Sequence, residues 1–302
     1  MRGGCQNSAV VDLWHPISAL VEVGSEVRRT MLLQQWIAYV KVSDGQFVVC
    51  RTTAEAPAGA DAIDGPACLL PVKAAYGYLW TSLGTPPDSL FEIPEWDEPD
   101  RRRVHAGTIG VATSAPRAVE NFLDMAHFPY VHTNYLGAEP LTEVADYDVH
   151  VDPATGELWA TRCRFYQPVA SATATEGQVT EYVYRVPHPY CVMLYKSYSV
   201  DPARMDVIGL FLQAITEESV RAHNFLCMLD EVNSDTEMRR FQQLIFGQDK
   251  PILENQIPKR LPLDPRAETS IRADKTSVAY RRWLSERGVT YAVIPSTRSS
   301  DP

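Results

Sequence analysis

Between Tyr147 and Leu229 the chain passes through a succession of apolar or alternating segments set off mostly by short turns. They are Tyr147–Val151, Leu158–Phe165, Glu181–Val186, Cys191–Val200, Val207–Ile215 and Arg221–Leu229. Runs rich in Val, Tyr, Phe and Leu between Pro, Asp and Glu-Glu turns read as strands. Connections this short leave no room for the crossover that a parallel pair needs, so the strands form an antiparallel sheet. After Asp230 the period changes to 3.6. Ser234 and Glu237 form a capping box, and Met238, Phe241, Ile245, Ile252 and Gln256 share one face of a long helix with the aspartate at 249. A second helix over Asp274–Arg287 presents Val278, Tyr280, Trp283 and Leu284 and stops at Gly288. The last ten residues read as a frayed tail. The fold class is α+β.

Upstream, Met31–Val42 and Gln46–Val49 form a hairpin through Ser43-Asp44-Gly45, and residues 52–66 form an aperiodic loop. Tyr76–Trp80 reads as an aromatic strand. Pro86-Pro87, Pro94 and Pro99 make a connector, which puts a domain boundary near residue 100 and divides the chain into 1–100 and 101–302. The second unit opens with a strand at Gly107–Thr113 and a helix starting at Ser114-Ala115-Pro116, where proline in the first turn wastes no donor.

The 302 residues carry a formal charge of −10, and a field of that sign repels phosphate backbones and anionic lipid. Nucleic acid and membrane are therefore not expected as partners. The first fifteen residues contain no apolar stretch of signal or spanning length, so a cytoplasmic protein is expected. Six scattered cysteines read as buried free thiols. None is followed by histidine or cysteine at the spacings C-x-H, C-x-x-H or C-x-x-C, so no zinc or iron–sulfur motif is present; neither is G-x-G-x-x-G or a Walker A sequence.

Of seven histidines, two fall within Asn121-Phe122-Leu123-Asp124-Met125-Ala126-His127-Phe128-Pro129-Tyr130-Val131-His132. On an unbroken helix His127 and His132 lie about 140° apart. Pro129 kinks or ends such a helix and frees the two rings to converge. Asp124, three residues before His127, reaches a ring N–H and sets the tautomer. Spacing alone leaves two readings, hydrogen-bonded core histidines or metal ligands. Asp249 on the core face of the long helix is a third donor whose desolvation a divalent cation would relieve; a slip in register would instead turn it to solvent. Two imidazoles and one carboxylate with open positions suit non-haem Fe(II).

The segment E-N-F-L-D-M-A-H-F-P-Y-V-H, residues 120–132, resembles the iron motif N-x-x-D-x-x-H-x-x-x-x-H of the oxygenase subunits of Rieske non-haem iron oxygenases. The resemblance extends to Trp14-His15-Pro16, to Tyr76–Trp80 and to Gly247-Gln248-Asp249-Lys250-Pro251. The stretches 249–256, 273–277 and 280–284 are most similar to bacterial methylxanthine (caffeine) N-demethylases. It implies His127, His132 and Asp249 as ligands of a mononuclear Fe(2+), Asp124 as the route of electron entry, and Asn121 as a polar residue beside that route. It also implies a helix-grip catalytic domain, a curved antiparallel sheet on a long C-terminal helix, in residues 101–302. Residues 1–100 would be a β-structured remnant of a Rieske domain. The 30 residues between Gly45 and Tyr76 hold no histidine, so the [2Fe–2S] ligands that the family carries there are missing.

Electrons are then expected from a separate reductase bearing a Rieske cluster. The implied reaction is hydroxylation of an N-methyl group on a small heteroaromatic substrate with O2, giving a carbinolamine that releases formaldehyde. A homo- or hetero-trimer is the implied assembly. Val183, Leu194, Leu210, Leu212 and Phe225 are candidate pocket residues, and Arg101-Arg102-Arg103 reads as a charged face at the domain junction rather than a docking site. The competing reading, from another class, is a non-catalytic subunit that binds a hydrophobic ligand or serves a structural role beside an active homologue. Joint retention of Asp124, His127, His132 and a costly Asp249 favours the enzyme.

Overall fold

The computed structural model describes residues 4–53, 68–169, 176–198, 201 and 203–296. Most of the loop expected at 52–66, and the end of the strand expected at Cys191–Val200, lie outside the described residues.

The first hundred residues supply a short helix α1 (Ser8–Val11) and strands β1 (His15–Ala19), β2 (Arg28–Leu32), β3 (Gln35–Ser43), β4 (Gln46–Arg51), β5 (Val72–Ala75) and β6 (Tyr78–Thr81). There follow β7 (Arg102–Val111), α2 (Ala115–Leu123), α3 (Phe128–Val131), β8 (Asp148–Val151), β9 (Leu158–Gln167), β10 (Gln178–His188), β11 (Cys191–Ser197), β12 (Met205–Thr216) and β13 (Ser219–Met228). The chain closes with α4 (Asp235–Asn255), β14 (Leu261–Pro262), α5 (Lys275–Glu286) and β15 (Val293–Ile294). Among the described residues β8 to β13 form an antiparallel meander in chain order, and β7 completes a seven-stranded sheet by pairing with β13. Two three-stranded antiparallel sheets, β1-β6-β5 and β2-β3-β4, come from the first hundred residues. The α+β class with antiparallel sheets holds.

Both faces of the large sheet are covered. On one, Trp14, Tyr78, Trp80 and Ile93 pack on Cys191, Met193, Tyr195, Phe211 and Phe225, with the Trp80 and Phe211 rings 5.4 Å apart. On the other, Tyr182, Tyr184, Leu210 and Leu212 meet α2 and α5 through Ala118, Val119, Leu123, Tyr280 and Leu284. Helix α4 is tied alongside β7, where Arg239 Nε donates to the His105 carbonyl at 3.0 Å and Gln243 Nε2 to the Ala106 carbonyl at 2.8 Å. All three arginines at 101–103 make internal bonds: buried Arg101 donates to the Met205 carbonyl, Arg102 to Asp235 and exposed Arg103 to the Trp96 carbonyl.

Four local expectations need correction. The segment Met31–Val42 is not one strand: it folds back at Leu33-Gln34, two residues with φ of 49° and 66° that do not ordinarily favour that region. The turn is held from outside, since the Leu33 and Gln34 amides donate to the Ala214 and Ile215 carbonyls of β12. Tyr76 belongs to a turn with Gly77, not to the strand that follows. On α4 the stripe slips after Asp249, so that Leu253 is buried while Ile252 is half exposed. The terminal segment is partly tied down, because Val293 and Ile294 pair in parallel with Leu261 and Pro262. By contrast the Asp44-Gly45 hairpin, the Ser234/Glu237 capping box and the Gly288 stop after α5 are as expected.

A buried ion network joins α2 to α5. Arg117 reaches Glu120 at 3.0 Å and Glu268 at 2.5 Å, and Arg281 reaches the same two carboxylates at 2.6 and 2.5 Å. Burial alone would raise Glu268, yet the two guanidinium groups hold it down at about 2. A carboxyl lowered in the folded state adds stability above its unfolded value near 4.5 and loses it as pH falls toward 2. We expect Glu268→Gln to cost about 1–2 kcal/mol at neutral pH, discounted for its partial exposure. In denaturant titrations between pH 5 and about 2 the variant should show a shallower acid loss than wild type; equal slopes would refute the assignment.

Candidate metal centre

Helix α2 starts where Ser114 Oγ accepts the Arg117 amide at 3.2 Å, with Pro116 in the first turn. It ends at Leu123, earlier than a kink at Pro129 would place the break. Asp124 is extended, with φ −83° and ψ 127°, and its Oδ1 accepts the Ala126 amide at 2.7 Å. This local side-chain bond competes with helix continuation and turns the chain. Pro129 then sits in the first turn of α3, where no donor is lost. The convergence of the histidines therefore follows from the break at Asp124, and Pro129 serves a new helix start. Gly137 backs this turn so closely that a Cβ there would lie 2.6 Å from the Pro129 nitrogen.

The result is a compact set of donors. His127 Nε2 and His132 Nε2 lie 3.1 Å apart, and Asp249 Oδ1 is 3.3 Å from the first and 3.1 Å from the second. Adjacent ligands at about 2.1 Å from a cation and about 90° apart are separated by about 3.0 Å, so these three atoms fit a single ion on one triangular face. Asp249 is on the core side, as its place in the helical stripe requires, and α4 carries it to the two rings.

The other ring nitrogens are fixed. His127 Nδ1–H donates to Asp124 Oδ2 at 3.0 Å, and His132 Nδ1–H to Gln248 Oε1 at 2.9 Å, which directs both Nε2 lone pairs at the shared point. Asn121 Nδ2 donates to Asp249 Oδ1 at 3.4 Å and so stands at the carboxylate itself. Burial would lower His127, but its bonds to Asp124 and Asp249 carry it up to about 9; burial would raise Asp249, but the two imidazoles keep it below its ordinary value. A cation entering the triangle would take the place of the proton that His127 holds toward Asp249.

A cavity of about 80 Å3 opens beside the donors. Its sheet wall is Tyr182, Tyr184, Leu194, Lys196 and Ile208, and α4 adds Phe241 and Ile245. Of the expected pocket residues only Leu194 lines it. Val183 and Phe225 belong to the opposite face, and Leu210 and Leu212 share the right face but lie in the core under α2. Neither periodicity nor spacing marks Lys196, and the sequence signals Gln248 only by its place next to Asp249. The remaining histidines serve packing or structural hydrogen bonds, as in the 5.4 Å edge contact of His15 with His188 and the 3.0 Å bond of His105 to Tyr78, or are exposed like His150.

Residues 111–288 match the family model for the vanillate O-demethylase oxygenase C-terminal domain. Over 289 residues, 95% of this chain and 97% of the relative, the sequence is 50% identical to the probable methylxanthine N7-demethylase NdmC of Pseudomonas sp. (strain TJI-51). Among solved structures, Pseudomonas putida CBB5 NdmA with caffeine superposes with a TM-score of 0.72 at 20% identity, covering 97% of this chain and 99% of that one. Dicamba monooxygenase bound to 3,6-dichlorosalicylic acid gives 0.73 at 14% identity, covering 92% and 97%. A mixed α+β fold of this kind with a two-histidine, one-carboxylate donor set is that of a Rieske-type oxygenase. The chain belongs to the family of the vanillate O-demethylase oxygenase C-terminal domain. That family implies a mononuclear iron, and the donor set suits it. Among the described residues no helix is long and apolar enough to cross a membrane.

His132→Ala should abolish iron binding, and Gln248→Leu should weaken it by about 10- to 100-fold by releasing the ring. Both are read as iron per chain after dialysis against a graded chelator. Full iron retention in Gln248→Leu would exclude an orienting role.

Proposed function

We propose that the chain is the terminal oxygenase component of an N-demethylase acting on a methylxanthine or a similar small heteroaromatic. In this reading His127, His132 and Asp249 hold one Fe(2+), which supplies O2 binding and activation when present. Asp124 and Asn121 are the polar residues through which the site receives electrons and keeps its ligands oriented. Residues 1–100 are a cluster-free remnant of a Rieske domain and 101–302 the catalytic unit. The electron donor is a separate Rieske-bearing reductase, in the cytoplasm, and the assembly is a homo- or hetero-trimer.

The observation that carries this proposal is the position of the donor triangle at the mouth of an aromatic cavity. Phe122, Phe128, Tyr182, Tyr184 and Phe241 line it, an apolar aromatic surface suited to a flat substrate. Asp124 holds the Nδ1 proton of His127, and Gln248 that of His132, so neither ring has to reorient when a cation enters. The name of the half-identical relative supports the choice of substrate class and points to a methyl group on N7.

Iron-loaded protein, mixed with a Rieske-bearing reductase, NADH and a panel of methylxanthines under air, should release formaldehyde in proportion to demethylated product. Absence of formaldehyde across the panel, with iron retained, would overturn the demethylase assignment.

A further inference from the structure

The edge of the β2-β3-β4 sheet brings two cysteines together. Cys50 lies in β4, buried and paired with Ala38 of β3. On its other side the returning chain adds an antiparallel bridge from Cys50 to Leu69, and the Leu70 amide donates to the Val49 carbonyl at 2.9 Å. Cys68, the residue before Leu69, is half-buried and stands in a turn rather than a strand, so strand alternation does not oblige its side chain to point away from Cys50. The two thiols hydrogen-bond to each other and pack with Ala38 and Val27. Burial and this neighbour raise Cys50 to about 11, which keeps it protonated at neutral pH.

The other cysteines are placed differently. Cys163 is buried on one face of the large sheet, Cys191 and Cys227 on the other, and the Cys5 sulfur accepts the Asn7 amide at 3.4 Å. Among the described residues, none of these four has another cysteine among the groups that act on its thiol.

Spacings of about 5 Å across an antiparallel ladder and about 3.4 Å along it put diagonal Cα atoms about 6 Å apart, within the range of about 4.4–6.8 Å that a disulfide spans. Cys50 and Cys68 stand in such a diagonal relation, with their sulfurs already in contact. Of the two, Cys68 meets an outside oxidant first, because Cys50 is closed to solvent. A bond between them would close residues 51–67 into a loop and join β4 to the chain that enters β5, which are strands of two separate sheets.

We infer that Cys50 and Cys68 form a reversible disulfide when hydrogen peroxide, the two-electron reduction product of O2, reaches the chain, and that this link staples β4 to the entry of β5. The Cys68 sulfur takes one oxygen atom from the peroxide and becomes a sulfenic acid, with release of one water. The Cys50 sulfur then displaces the hydroxyl, which leaves with the Cys50 proton as a second water. Together the two thiols give up two electrons and two protons, and the peroxide takes up all of them. In a reducing compartment the link is transient and forms only while the oxidant is present.

The test uses the full chain, reduced, freed of reductant, exposed to graded hydrogen peroxide and quenched with a maleimide. Peptide mapping without reductant should recover the Cys50 and Cys68 peptides joined within one chain and about 2 Da lighter than their sum. Two of the six thiols should be lost to titration in denaturant, and dithiothreitol should restore both. The oxidised protein should melt a few degrees above the reduced one, because loop closure restricts the unfolded chain. Cys68→Ser should show neither the link nor the shift. Cys50→Ser should leave Cys68 as a sulfenic acid that dimedone captures, and should that variant not fold, Cys50→Ala is read by the same criterion. No link in the wild type, a link between chains instead of within one, oxidation of Cys68 beyond the sulfenic state with Cys50 still a thiol, equal loss at Cys163, Cys191 and Cys227, or an unchanged melting temperature overturns the inference. None of these readings uses the demethylase activity.

Discussion

A carboxylate placed on the core side of a helix has to be neutralised, and the arrangement around Asp249 shows how this chain does it. Its Oδ1 lies 3.3 and 3.1 Å from two imidazole nitrogens and accepts the Asn121 amide. Without such partners a buried carboxylate costs several kcal/mol or takes up a proton. The requirement is mutual, because the two Nε2 atoms are aimed at one point by Asp124 and Gln248. Helices α2, α3 and α4 are therefore held together by polar groups that no single segment can satisfy alone.

The remainder of the molecule supports that junction. The Arg117, Glu120, Glu268 and Arg281 network fixes α2 against α5 from below, and α4 is bonded along β7 by Arg239 and Gln243. The first hundred residues cover the far face of the sheet, and their β2–β3 turn is anchored on β12. With both faces covered, the sheet is a rigid wall for the cavity. Rigid placement matters in an oxygenase, where a reactive site must meet one bond of its substrate and exclude water.

Much of the centre was legible in the residues. Asp124, three residues before His127, and Asp249 in the helical stripe are marked by spacing, since helical periodicity depends only on local geometry. The histidine pair is marked by its density alone, because an unbroken helix would hold the two rings about 140° apart. The cause of their convergence was not legible: proline is the stronger breaker in a sequence, but here an Asx-type bond from Asp124 to Ala126 acts first. The cavity wall was legible only in part. Along Tyr182-Val183-Tyr184 every residue is apolar enough for either face, and a sheet buried on both sides removes the alternation that would tell them apart. One residue of parity exchanges Val183 for the two tyrosines.

The sequence by itself determined the succession of antiparallel strands, the capped helix with its buried aspartate, and the missing cluster ligands, because each is a matter of residue type and spacing along the chain. Only the tertiary structure decided which face of each strand meets the cavity, that Gln248 steers His132, and that Lys196 stands in the wall. Those choices depend on registers and contacts between segments distant in sequence, such as the pairing of Lys196 with Tyr182 and Asp206 across three strands. Local chemistry can propose a donor set, but only packing can place a substrate beside it.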